Sequence, residues 1–203
     1  MSRGYPLGGI QITEKKIKTR LILKIVLCGP SLVGKTCFST RFVDGYFDPE
    51  MKKTIGVDFS LKNMTITQEV GRIAAGKEIT LQIWDFAGED RFRNVLPMYV
   101  AGTRGLLLAF DLTRPETLRE LPIWLNTVRP QIDESIPIVL VGMKSDLKAI
   151  VSEDEIQSFL KECDVNLFIT VSSLNGDNVE DCFTLITEEV LKRHIGNDSQ
   201  KAA

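Results

Sequence analysis

The chain has 203 residues, 43% hydrophobic and 26% charged, which suits one globular domain with a full-sized core and excludes a wholly disordered chain. A formal net charge of -2 gives no basic field for a nucleic-acid backbone, and no apolar run approaches the roughly 20 residues of a membrane span. The four cysteines (Cys28, Cys37, Cys163, Cys182) form no C-x-x-C pair and read as reduced thiols of an intracellular protein, and the single histidine, His194, argues against histidine catalysis or a histidine metal site.

The first element in the chain is a flexible extension over 1–19, with early glycines, then Lys15, Lys16 and Lys18, and no signal-peptide pattern. Leu21–Cys28 is a nearly continuous apolar run ending at glycine, the pattern of a strand buried on both faces. Residues 34–46 predict a helix. Residues 54–66 alternate apolar and polar (Ile55, Val57, Phe59, Leu61), and 78–86 do so again, which predicts a long hairpin. Two short apolar runs, Gly105–Phe110 and Pro137–Gly142, each follow a helical segment. Ser152–Glu155 has capping-box spacing at the head of a helix reaching about Cys163. A strand at 167–171, a helix at 178–194 and a short disordered tail at 196–203 complete the chain. The result is an α/β domain over 20–195: a mostly parallel six-stranded sheet with one antiparallel edge hairpin and helices on both faces. Ligands of such sheets sit beyond the carboxyl ends of the strands, here after residues 28, 86, 110, 142 and 171.

The loop after the first strand reads Gly29-Pro30-Ser31-Leu32-Val33-Gly34-Lys35-Thr36 and fits G-x-x-x-x-G-K-[ST] between strand and helix. Backbone amides from Ser31 through Cys37 would form an anion nest at the positive end of the following helix. Gly34 would permit close approach, Lys35 would reach the outer phosphates and the Thr36 hydroxyl would ligate Mg²⁺. Kinases and motor ATPases share this loop, so other residues must discriminate. Asp85 ends a strand and could hold the metal through water. Gly88, three residues on, could offer its N–H to a γ-phosphate. Thr54 lies in a polar loop where its hydroxyl could complete the metal shell only while a γ-phosphate is present.

With these residues the sequence resembles the Ras superfamily of small GTPases, most of all the Rab branch, over roughly residues 20–195. Thr54-Ile55-Gly56-Val57-Asp58-Phe59, Leu81-Gln82-Ile83-Trp84-Asp85, Arg91-Phe92-Arg93 and Ser31 in the phosphate loop carry the resemblance. It implies a G domain that binds GTP or GDP with Mg²⁺ and switches between two states. Thr54 would be the switch threonine, Asp85 the metal-linked acid, Gly88 the γ-phosphate sensor and Phe47 the aromatic over the guanine. Lys144, Asp146, Ser172, Ser173 and Leu174 would surround the base. Lys35, Thr54, Gly88 and Glu89 would serve hydrolysis. An effector, an exchange factor and an activating protein are implied, read through Phe47–Phe59 and Gly88–Tyr99.

The family pattern is broken in three places. The base-reading Asn-Lys-x-Asp is Met143-Lys144-Ser145-Asp146 here. Asp146 still meets the guanine N1 and N2 edge, but Met143 lacks the asparagine amide, a loss of about 1 kcal/mol. Glu89 replaces the glutamine that orients the attacking water, which predicts slow hydrolysis. No cysteine follows Cys182 and residue 2 is serine, so no direct lipid anchor is expected: the reading is a soluble, cytoplasmic monomer, or one recruited to membranes through a partner. The hairpin between Leu61 and Thr80 is also longer than in typical members, either a partner surface or a tolerated loop. The leading reading is therefore a regulatory GTPase. A non-hydrolysing GTP-binding scaffold is the alternative, favoured by Glu89 and Met143. A small-molecule kinase would want an arginine-rich lid, which the sequence lacks.

Overall fold

The computed structural model describes residues 21–70, 73–93 and 95–200, with side chains up to Arg193. The expectations for residues 1–19 and for 201–203 lie outside those residues. In chain order the elements are β1 (Leu21–Cys28), α1 (Lys35–Asp44), β2 (Val57–Thr65), β3 (Glu78–Phe86), α2 (Asp90–Arg93), α3 (Leu96–Tyr99), β4 (Gly105–Asp111), α4 (Pro115–Val128), a 3₁₀ turn (Arg129–Gln131), β5 (Ile138–Met143), α5 (Glu153–Glu162), β6 (Leu167–Val171) and α6 (Val179–Gln200). The six strands form one sheet in the order β2-β3-β1-β4-β5-β6. Only the β2–β3 pair is antiparallel, from Val57 opposite Phe86 to Thr65 opposite Glu78.

Alternation along the central strands explains why both faces are covered. Leu23, Ile25 and Leu27 of β1 face a core shared with Phe38 and Phe42 of α1 and Phe183, Ile186 and Val190 of α6. Val26 and Cys28 face a second core with Leu121 and Trp124 of α4 and Ile156 and Phe159 of α5. Period-2 side chains therefore meet helices on either side, which is what a continuous apolar strand requires. Phe183 stacks between Phe42 and Phe38, with centroids 3.9 and 4.8 Å away. These contacts fasten α1, and with it the phosphate loop, onto α6.

Several boundaries differ from expectation. β2 begins at Val57 rather than 54, because Gly56 turns the chain at φ +77° and leaves Thr54 in a loop. α1 is shorter than 34–46: Gly34 precedes it and the left-handed Gly45 ends it, its N–H donating to the Arg41 carbonyl. α6 continues to Gln200, six residues past the expected end, so 196–200 is helical rather than tail. The capping box is present: Glu155 N–H donates to Ser152 Oγ at 3.2 Å and Ser152 N–H to Glu155 Oε2 at 3.1 Å. The β2–β3 hairpin is prolonged beyond its strands. Ile66 N–H donates to Lys77 O, Gly76 N–H to Ile66 O, and Val70 and Ile73 bridge. Ile66 is buried, so the extension is stitched to the core at its base. Among the described residues no helix is long and apolar enough to cross a membrane.

Candidate functional site

Because β1, β3, β4, β5 and β6 run parallel, their carboxyl ends open on one edge of the sheet, and the loops that follow them gather there. Those after β1, β3, β5 and β6, with the segment before β2, enclose a pocket of about 360 Å³. Its floor is Ser31–Cys37. One wall is Phe47 and Met51–Thr54, with Phe86–Gly88 beside it; the other is Met143, Lys144, Asp146, Leu147, Ser173 and Leu174.

At the floor, Lys35 is 6% exposed, and its ammonium donates to the carbonyls of Gly29 (2.7 Å) and Pro30 (2.8 Å). Burial lowers its pKa to about 8, against the pull of Asp85. Asp85 is buried at the end of β3, and burial raises its pKa to about 6, against Lys35 and the Thr36 hydroxyl. Each charge is buried and feels the other only at a distance, with no contact ion pair among the described residues, a condition that an anion and a cation would relieve. Thr36 Oγ1 lies 2.5 Å from Thr54 Oγ1 and donates to Asp85 Oδ2 at 2.5 Å, while Asp85 Oδ1 is buried without a partner among the described residues. Two hydroxyls and a carboxylate thus converge from the loops after β1, before β2 and at the end of β3. The donors are all oxygens, one of them orphaned, which fits a hard cation such as Mg²⁺.

Gly34 has φ +104° and open space where a Cβ would stand. Its left-handed backbone favours glycine, and no other part of the chain crowds it. Gly88 is crowded by the chain itself: a Cβ there would lie 2.4 Å from the carbonyl carbon and oxygen of Pro30 and from the Ser31 nitrogen.

On the opposite wall, Asp146 is exposed to the pocket and its Oδ1 accepts from Ser172 Oγ at 2.6 Å. Ser172 is fully buried and accepts from the Asn175 N–H, so it orients Asp146 rather than lining the pocket, a correction to its expected place against the base. Lys144 sits at φ +63°, and its ammonium reaches back 2.6 Å to Asp111. Met143 is 1% exposed and packs in the core. Arg41 of α1 donates to the carbonyls of Gly45 and Asn175, both at 3.2 Å, which ties α1 to the loop after β6.

Glu89 departs from its expected place. It does not line the pocket, and its carboxylate pairs with Arg91 Nε at 2.8 Å. Of the other residues expected at the phosphates, metal and base, Phe47 included, all line it except Ser172, which is buried behind Asp146, and Asp85, which is reached through Thr36. Sequence reasoning missed Lys52 and Lys53, which bring two cations to the pocket beside Thr54, although their adjacency to that threonine was a signal. It also missed Asp111 and Arg114, whose part emerges only from the fold.

Strand order, phosphate loop and converging oxygens define a nucleoside-triphosphate-binding G domain. The Ras family model matches residues 24–192. The chain is 37% identical to the GTP-binding protein ypt4 of Schizosaccharomyces pombe over 174 residues, covering 85% of this chain and 73% of that one. It is 35% identical to the Ras-related protein SEC4 of Saccharomyces cerevisiae (87% and 78% covered) and 39% identical to the Ras-related protein RABA4b of Arabidopsis thaliana (84% and 74%). The chain belongs to the Ras family and is a Rab-like small GTPase, a GTP hydrolase.

Proposed function

We propose that the chain is a guanine-nucleotide switch that binds GTP or GDP with Mg²⁺, hydrolyses GTP slowly and presents different surfaces in its two states. The observation that carries this is the meeting of Thr36, Thr54 and Asp85 within hydrogen-bond distance beneath the pocket. Thr54 belongs to a segment, 45–56, with no helix or strand to hold it, so its position depends on what it ligates. Bound Mg²⁺ supplies charge neutralisation on the outer phosphates. Thr36 and Thr54 offer it hydroxyl oxygens, Asp85 acts through water, and Lys35 exchanges its loop carbonyls for phosphate oxygens. The amides of Ser31–Cys37 cradle the phosphates, and Gly88 offers its N–H to the γ-phosphate. Phe47, Lys144, Asp146, Ser173 and Leu174 hold the guanine.

Glu89 cannot donate to the γ-phosphate, and its pairing with Arg91 keeps it out of the pocket, so turnover is slow and the triphosphate state persists until an activating protein acts. Effectors meet the segments around Phe47–Phe59 and Gly88–Tyr99. Phe59 (46% exposed), Trp84 and Tyr99 (40%) form an aromatic row between them, with centroids 5.2 and 6.1 Å apart. The test is Thr54→Ala with fluorescent nucleotides. Affinity for a non-hydrolysable GTP analogue with Mg²⁺ should fall about tenfold while GDP affinity holds. Equal losses for both nucleotides would refute the switch role of Thr54.

A further inference from the structure

Met143 leaves the loop after β5 without the amide that would reach the phosphate loop, yet those loops are joined by another route. Asp111, fully buried at the end of β4, accepts Lys144 Nζ at 2.6 Å and Arg114 Nε at 3.0 Å on Oδ2. Its Oδ1 accepts the Thr113 N–H at 2.9 Å and hydroxyl at 2.6 Å. Arg114 then extends Nη2 to the carbonyl of Ser31 at 3.2 Å. A continuous path therefore runs from the base-side Lys144 through Asp111 and Arg114 to the phosphate loop. Only Lys144 and Ser31 of these line the pocket. Burial alone would raise the Asp111 pKa, but hydrogen bonds from Lys144, Thr113 and Arg114 hold it below the ordinary carboxylate value.

We propose that Arg114 and Asp111 are positioning residues that lock the base-reading loop to the phosphate loop, replacing the bridge that Met143 cannot make. The forked guanidinium suits this role, because its Nε and Nη2 satisfy a carboxylate and a carbonyl at once. Removing Arg114 frees the Ser31 carbonyl and takes one of two cations from the buried Asp111, leaving it Lys144 and the two Thr113 hydrogen bonds. The two halves of the pocket then lose this link between Ser31 and Lys144.

The inference rests on the pocket being a guanine-nucleotide site, and a double-mutant cycle separates the two. Release of fluorescent GDP is timed for the wild-type chain, Arg114→Ser, Met143→Asn and the double variant, with thermal unfolding as the check on folding. Arg114→Ser should speed release about tenfold, whereas in the Met143→Asn background the same change should cost about twofold or less. A merely structural arginine would give the same factor in both backgrounds, and that result would overturn the inference, as would unchanged release in Arg114→Ser. Arg114→Lys keeps the charge but not the fork, so release should stay fast; wild-type release would overturn the proposal. Failure of the wild-type chain to bind fluorescent GDP would remove the guanine reading and this inference with it.

Discussion

Replacing Gly88 with alanine tests the geometry at the phosphate end most directly. The new methyl would stand 2.4 Å from three backbone atoms of Pro30 and Ser31. Ordinary carbon contacts lie at about 3.5–4 Å, so one of the two segments must withdraw by roughly 1 Å. The Ser31 side is held by Arg114 and by the Lys35 bonds to Gly29 and Pro30, so the 87–89 segment moves. Overpacking of this kind costs about 1–3 kcal/mol. In the diphosphate state 87–89 is free to drift, and most of that cost is relieved. In the triphosphate state the Gly88 N–H must return to the γ-phosphate, and the cost reappears there. The preference for a non-hydrolysable GTP analogue over GDP should therefore fall by about 1–2 kcal/mol, roughly 5–30-fold. Competition titrations against fluorescent GDP measure it, and thermal unfolding of the GDP form should shift by no more than about 4 °C. An unchanged GTP-to-GDP preference would mean that Gly88 does not approach the phosphate loop in the loaded state, contrary to this prediction.

Other outcomes follow from the same contacts. Glu89→Gln removes the carboxylate and leaves Arg91 unpaired, so single-turnover hydrolysis should rise about tenfold; a slower variant would contradict the account of Glu89. Asp111→Asn breaks a buried pair with two cations and should lower stability at pH 7 by about 3 kcal/mol in denaturant titration. The Asp111 pKa is depressed in the folded state, so its stabilisation is complete above the unfolded carboxylate value and lost as pH falls through the folded one. The gap between wild type and Asp111→Asn should therefore narrow below about pH 4, and a constant gap would count against the ion-pair origin. Ser152→Ala removes the capping box of α5 and should cost about 1 kcal/mol, seen as a small drop in melting temperature, with nucleotide release unaltered.

The sheet was legible because its residues obey short-range rules. The apolar run Leu21–Cys28 and the strand at 167–171 have the predicted limits, and β3 runs as the alternation of 78–86 predicts. The phosphate loop was legible because a nest, a lysine and a hydroxyl must follow one another in sequence. Ends of elements were less so. The β2 pattern runs on to Thr54 in sequence, and only the left-handed Gly56 stops it. Ser172 illustrates the harder case: a serine beside the base and a serine orienting Asp146 look alike in sequence, and only burial separates them. Glu89 is similar, since its pairing with Arg91 depends on the path of α2. Arg114 was invisible because its bond to Ser31, and the bond of its neighbour Asp111 to Lys144, join loops that only the strand order brings together.

The clasp of Arg41 on Gly45 and Asn175 has a mechanical consequence. It makes the helix carrying Lys35 and Thr36 and the segment beneath the base a single jaw, anchored further by Phe183 between two α1 rings. The opposite jaw, residues 47–54 and 87–88, is loop. In the proposed switch a nucleotide between the two should leave by the loop side, and a partner that hastens its departure should act there rather than on α1.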